Sequence, residues 1–519
     1  MYGALESDDK VGADENHQYH AHGGRSFVDL PSVASASDDS GSSLGNSLTA
    51  SPWQILTTFC IATCGGGVLS LPYATYEGSI VLTCIVVIGL GVVSARTSRI
   101  TALACALIPS SQYSLVVSTV LYGPIDEEVV DEGDVAHRQR VRNLRTRRFV
   151  LARAIDGIIY LLLCLFCTTY LRSVVDSMPR ILDHFGVHSG VWLEMWPYLL
   201  LMFVGFTPLV SLRSLSELTI VSMVGMVTVL AFVGSMAVSY FRSGGEGYSS
   251  AKSRENYEVL NLKTTFMMLP GIAVAMFTAQ EVVPQMYFEM RDRSPSNFNW
   301  VINVGTVFLT ATYLLAGITG YLTFGSDVAS KDADGSIVNN YPNDLFWTIM
   351  RTAIVAHFVC VVPIYVVNAR LGFYRLYLTI RGDHERASHA LAGYDLSLGI
   401  RFGQAAALMA LLCCAAYCMP SVSDIMSFTG AFLGTLFFSF FPGLLALTIY
   451  SGVWQGTAAA KQSQEPELYL PSRCGQVTGV LWILLSGFVI ILALLTVCGV
   501  LEGDVITPQA ANVTAAPSA

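Results

Sequence analysis

Between Trp53 and Val500 the chain is cut into eleven apolar segments, each long enough to cross a bilayer and separated by polar or charged connections. A hydrocarbon core about 30 Å thick takes about 20 residues of helix, and inside it backbone amides must be satisfied within the segment. The pattern therefore predicts an all-α polytopic membrane protein. The segments run 53–76, 79–107, 149–175, 196–212, 218–239, 263–288, 300–324, 345–371, 400–419, 425–450 and 477–500. With 53% hydrophobic and only 13% charged residues, nothing is left over for a soluble domain. Residues 1–50 read as a disordered cytoplasmic tail, 51–500 as the transmembrane domain with a charged cytoplasmic loop at 108–148, and 501–519 as an extracytoplasmic tail. In that loop, 112–122 is expected to lie as an interfacial helix. The basic run from Arg138 to Arg148 reads as a topology anchor, or as a seat for anionic headgroups. The large majority of the 29 Lys and Arg fall on the side of the N-terminus, which places that end in the cytoplasm and the C-terminus outside or in a lumen. The sequon Asn512-Val513-Thr514 falls on the outer tail.

Two segments are interrupted. The first holds Thr63-Cys64-Gly65-Gly66-Gly67-Val68, and three consecutive glycines weaken a helical ladder at a depth where free amides are tolerated only against protein or a wet cavity. A helix broken there would start its second half near Val68, with the positive end of its dipole turned into the gap, a setting that receives a carboxylate. The same triplet also fits close packing of small residues. The sixth segment carries Leu269-Pro270-Gly271, then Phe277-Thr278-Ala279-Gln280-Glu281, then Pro284. It stands where the first segment would recur if five spans were followed by five in inverted orientation, as in carriers whose substrate sits between broken helices.

The stretch from Gly65 to Ala74 resembles the first-helix signature of the amino acid/auxin permease family, a branch of the amino acid–polyamine–organocation superfamily. Glu281-Val282-Val283-Pro284 through Ser294 is similar to that family's sixth helix and the loop after it. Tyr170-Leu171 with Asp176 and Pro179, Gly320 through Gly325, and Ser427 through Ala431 add further matches in the right order. The resemblance implies a LeuT-like fold of eleven helices with a 5+5 inverted repeat, and secondary transport of amino acids by alternating access. It implies a site in which the backbone of Cys64, Gly65, Gly66 and Gly67 receives the substrate carboxylate and Thr63 adds a hydroxyl. Phe277, Thr278 and Gln280 would face the amino group and side chain. Glu281 is a functional candidate because an ionisable group within a span is costly; the competing reading ties it to backbone amides, to Arg213 or to Arg351.

On coupling, this chain departs from the sodium-coupled part of that family. Ile61 stands where those relatives place an Asn, and Val359 and Val361 replace hydroxyl-bearing positions, and aliphatic groups cannot coordinate sodium. Proton coupling or facilitation is expected instead, with Glu281 and His357 as the titratable candidates. Asp156 is read as pairing with Arg153 or facing solvent, and Asp424 as a helix cap. Of the 12 cysteines, Cys164 and Cys167 have C-x-x-C spacing but lie within an apolar segment, not in a zinc or thioredoxin setting, and there is no HExxH, Walker or Cys/His motif. No enzyme activity, cofactor, metal or nucleic-acid partner is expected; the partners are an amino-acid substrate, the bilayer and, for a coupled carrier, protons. A non-transporting amino-acid sensor on the same fold would share the site and differ only in failing to turn over. The sequence is compatible with the plasma membrane and with a vacuolar or lysosomal membrane.

Overall fold

The structure, a computed structural model, describes residues 50–123, 135–187, 190–211, 219–243, 257–260, 268–291, 293–329, 336–383, 397–419, 421–455, 457 and 469–497. The tails at 1–49 and 501–519, the acidic run 126–134, Arg213, Lys263 and the sequon lie outside the described residues.

The first span starts where its sequence says a helix should. Ser51 caps α1 (Pro52–Thr63) in a reciprocal box with Gln54, and Pro52 occupies the first turn, where its missing N–H costs nothing. After the break at Cys64–Gly66 the chain resumes as α2 (Gly67–Gly78), bent 56° from α1. Then follow α3 (Ile80–Leu107), α4 (Tyr113–Tyr122), α5 (Val135–His184), α6 (Trp196–Val210) and α7 (Thr219–Ser243). The sixth segment is two short helices, α8 (Met268–Phe277) and α9 (Val283–Glu289). It is followed by α10 (Pro295–Phe324), α11 (Leu345–Ile380) and α12 (Leu398–Cys418). The tenth segment begins as α13 (Val422–Phe428), loosens into π-helical turns at Thr429–Gly434 and Leu436–Phe440, and ends as α14 (Phe441–Tyr450). The last helix is α15 (Arg473–Val497).

Among the described residues, 8 helices are long and apolar enough to cross a membrane, or 9 when α1 and α2 count as one bent span. The other two expected segments are the 15-residue α6 and the α8–α9 pair, too short singly to meet the same test. The third span differs most from expectation. Its helix runs unbroken through the basic residues up to Arg148, so that part of the expected loop is a helical extension, as arginine-rich sequence without Gly or Pro allows. The expected interfacial helix is α4, with one face buried in the core through Tyr113, Val116, Val117 and Val120.

Two apolar clusters organise the bundle. One gathers mainly α1, α3, α4, α8, α10 and α14; the other gathers mainly α5, α6, α7, α11 and α12. The ends of the two broken spans are also joined, because Ala50 accepts from the Arg291 amide and donates to the Glu289 carbonyl at 3.1 and 2.8 Å. The start of α1 and the end of α9 are thereby held together.

Candidate functional site

Across the first break, the Gly65 amide bonds to the Thr63 carbonyl at 2.9 Å, and those of Val68 and Leu69 bond to Gly65 and Gly66. The amides of Gly66 and Gly67 make no backbone hydrogen bond among the described residues. The glycines also permit close approach. A Cβ on Gly65 would lie 2.6 Å from the Tyr170 hydroxyl, and one on Gly67 would meet Met276 at 2.5 Å and Met426 at 2.8 Å. Both readings of the triplet therefore describe the same stretch: bare backbone is needed to pack there, and some of it is left unpaired.

The second break is closed differently. The Gln280 side chain accepts from the Ala279 amide at 3.0 Å and donates to Thr97 at 3.1 Å and Ser94 at 3.4 Å. Ser94 donates to the Phe277 carbonyl at the end of α8, and Pro284 opens α9. Tyr313 of α10 joins the two breaks. Its hydroxyl lies 3.0 Å from the Thr63 carbonyl and 3.1 Å from the Met276 carbonyl, and so serves the C-terminal ends of both first half-helices.

Between the breaks is a cavity of about 50 Å³ lined by Thr63, Gly65, Gly66, Gly67, Met276 and Thr278, with Tyr170, Glu281 and Tyr365 among its other walls. It adjoins a larger one, about 790 Å³, that reaches the exposed Trp53 and Gln54 at the start of α1. Gly65, Tyr170, Glu281 and Tyr365 line both. Past Gly67, no residue of α2 lines either cavity, so the path from the break leads to the side on which α1 begins.

Of the residues singled out from sequence, Thr63, Gly65, Gly66, Gly67, Thr278 and Glu281 are brought together at the small cavity, and Cys64 lines the large one. The Thr63 and Thr278 hydroxyls are turned back onto the Phe59 and Val274 carbonyls, each at 2.7 Å. Phe277 and Gln280 line neither cavity. Phe277 packs edge-on against Tyr313, and Gln280 is fully buried against α3. One Glu281 carboxylate oxygen is buried with no hydrogen-bond partner among the described residues. Arg351 is elsewhere, bonded to Val338, Tyr341 and Asn343, so it is not the partner of Glu281. His357 lines the large cavity and packs against Gly225. Ile61 and Val361 line that cavity with aliphatic surface, while Val359 does not reach it. Asp156 forms an ion pair with Arg153 at 2.7 Å. The cap of α13 is Ser421, with Asp424 three residues in as its partner at 2.6 Å; the expected cap is displaced because the hydroxyl, one turn earlier, takes the Asp424 amide.

Sequence reasoning missed the aromatic wall. Tyr170 stacks on Phe358 with ring centroids 5.0 Å apart, and Tyr365 lies 6.0 Å from Tyr170. For Tyr313 a signal was present: a tyrosine within an apolar span must find its hydroxyl a partner.

The profile of the family described as "Transmembrane amino acid transporter protein" matches residues 48–465. "Vacuolar amino acid transporter 5" of Schizosaccharomyces pombe is 25% identical over 279 residues, 53% of this chain and 61% of that protein. "Amino acid transporter AVT6E" of Arabidopsis thaliana is 25% identical over 298 residues, 54% of this chain and 57% of that one. "Sodium-coupled neutral amino acid transporter 4" of Rattus norvegicus is 27% identical over 204 residues, 39% and 34%. The matches thus span at most about three fifths of these curated relatives. Among solved structures, that of MhsT in complex with L-phenylalanine superposes with a TM-score of 0.50 over 87% of this chain and 100% of its own, at 11% identity. That likeness is one of fold, and with the two broken helices it makes the architecture LeuT-like.

Proposed function

This chain belongs to the transmembrane amino acid transporter family, and from that premise we propose that it moves amino acids across a membrane by alternating access, driven by protons or by the substrate gradient rather than by sodium. The observation that carries the reading is the small cavity between two broken helices, walled on one side by bare glycine backbone. A space of about 50 Å³ holds only a few water-sized groups, so a substrate would seat its carboxylate at Gly66 and Gly67 and extend past Tyr170 and Tyr365 into the larger cavity. Thr63, Cys64 and Thr278 would frame that seat with backbone and side chain. Phe277 and Gln280 would hold the sixth helix in its broken shape without touching substrate.

Glu281 would be the coupling residue. It borders the substrate cavity and the wet path together, and it has an unpartnered carboxylate oxygen, so its protonation would respond to both. His357 borders the path only and would be secondary. The aliphatic surface of Ile61 and Val361 argues against a sodium seat beside the first break. With the N-terminus cytoplasmic, as the distribution of Lys and Arg favours, the open path faces the cytoplasm. The vacuolar relatives favour an acidic organelle, whose lumen would supply the protons and contain the C-terminus.

The test is uptake of a radiolabelled amino-acid panel into proteoliposomes under an imposed pH or sodium gradient, comparing wild type with Glu281→Gln. Accumulation driven by the pH gradient and lost in the variant, with exchange of preloaded substrate retained, is the expected result. Accumulation driven by sodium would refute the coupling assignment. Saturable binding without flux under either gradient would make the protein a sensor.

A further inference from the structure

Away from the broken helices, two arginines of α3 stand at the edge of the bilayer. Arg96 and Arg99 are three residues apart and so share a face of that helix. Counted from Ile80 at 1.5 Å per residue, they stand roughly 24 and 28 Å along the helix, near the far boundary of a hydrocarbon core about 30 Å thick. Neither forms an ion pair or hydrogen bond among the described residues. Both line a cavity of about 490 Å³ whose described walls hold no acidic residue. Two helix N-termini reach the same cavity: α10 through Pro295 and Asn299, and α15 through Ser472, Cys474 and Gly475. Each contributes the positive end of a long helix dipole.

A second cavity, about 580 Å³, shares Val92, Arg96 and Arg99 with the first. It continues toward mid-membrane between α3 and α10 over Ile88, Val307, Ala311 and Leu314. Ile88, Val92 and Val307 are exposed on this face. A cationic pocket at headgroup depth therefore opens into an apolar furrow at acyl-chain depth.

We propose that this is a binding site for an anionic phospholipid, with the phosphate between Arg96, Arg99 and the two helix N-termini and one acyl chain in the α3–α10 furrow. Charge selects the headgroup, and the furrow distinguishes a lipid from a free anion. Because α3 packs on α8 and α10, and Ser94 and Thr97 on its other face hold the second break through Gln280, the lipid would bear on the helix that supports the candidate site.

Native mass spectrometry of the full-length protein, released from nanodiscs of equal phosphatidylserine and phosphatidylcholine, tests this. Wild type should retain one phosphatidylserine in preference to phosphatidylcholine, and Arg96→Gln with Arg99→Gln should cut that retention about fivefold per arginine. Val92→Trp, which fills the furrow and leaves both arginines in place, should also lower it and guards against a misfolded arginine variant. Equal retention of the two lipids, or retention unchanged in the arginine variant, overturns the proposal. So does displacement of the lipid by millimolar inorganic phosphate, which would make the site one for the free anion, or retention that follows a dimer fraction rather than the arginines.

Discussion

The two broken spans are interrupted by opposite chemistry. The first is broken by absence: Gly65, Gly66 and Gly67 carry no side chain, and the amides of Gly66 and Gly67, at the mouth of a cavity, make no backbone hydrogen bond among the described residues. The second is broken by substitution: Gln280 supplies from its own side chain the acceptor that the Ala279 amide would otherwise lack, and Pro284 restarts the helix. A break of the first kind offers its backbone to a ligand. In the second break Gln280 takes the Ala279 amide, the Gln280 and Glu281 amides make no backbone hydrogen bond among the described residues, and the break also brings a side chain, Glu281, to the cavity. In the proposed function, the first break would receive the invariant carboxylate of an amino acid and Glu281 at the second would respond to charge.

The largest effect should come from filling the first break. Gly65→Ala places a methyl against the Tyr170 hydroxyl at 2.6 Å, and Tyr170 is held by its stack on Phe358. Overpacking of this kind costs about 1–3 kcal/mol, which is roughly 5- to 150-fold in substrate affinity if it falls on the occupied state. Gly66→Ala, whose nearest neighbour is the Tyr170 ring at 3.3 Å, should cost several times less. Equilibrium binding to the purified variants gives the ratio; equal losses at both positions would mean the glycines matter for the break in general and not for the space beside Tyr170.

The second break should fail in stability before it fails in affinity. Gln280→Leu leaves the Ala279 amide without its acceptor and the Ser94 and Thr97 hydroxyls without the amide that bonds them. Ser94 and Thr97 still donate to the Phe277 and Ser94 carbonyls, so the amide is the group left unpaired. That costs about 1–3 kcal/mol, and the variant should melt below wild type in detergent while its surviving fraction binds substrate within about threefold, under 1 kcal/mol. A variant of unchanged melting temperature and lost binding would return Gln280 to the substrate site.

The positions of both breaks were legible because glycine and proline act locally on the backbone, whatever surrounds them. The faces of the helices were not. In a span that is apolar all round, nothing in the sequence fixes rotation, so Gln280 and Phe277 could be assigned to the right turn of the right segment and still point at α3 and α10. The same limit hid Tyr170 and Tyr365, which come from α5 and α11 and meet only in the fold. Arg351 was a reasonable partner for Glu281 by charge alone, but the carbonyls of Val338 and Tyr341 claim it. The helical run through Arg148 escaped because a charged stretch reads as loop by hydropathy and as helix by propensity, and here propensity prevailed.

The smallest predicted effect sharpens the comparison most, because it touches both breaks at once. Tyr313→Phe removes one hydroxyl that lies within hydrogen-bond distance of the Thr63 and Met276 carbonyls and leaves the ring packed on Phe277. A hydroxyl has a single proton, so it satisfies one carbonyl at a time, and the loss should be that of one buried hydrogen bond, about 1 kcal/mol. If the two breaks move as one unit during transport, the shared link is kept throughout. The variant then lowers stability by that amount with little change in exchange rate. If they separate, the link must open in each cycle, and removing it should speed exchange by up to about fivefold while lowering stability equally. Stopped-flow exchange beside thermal denaturation of the same preparation distinguishes the two, and an unchanged rate would tie the glycine break and the Gln280 break into a single rigid element.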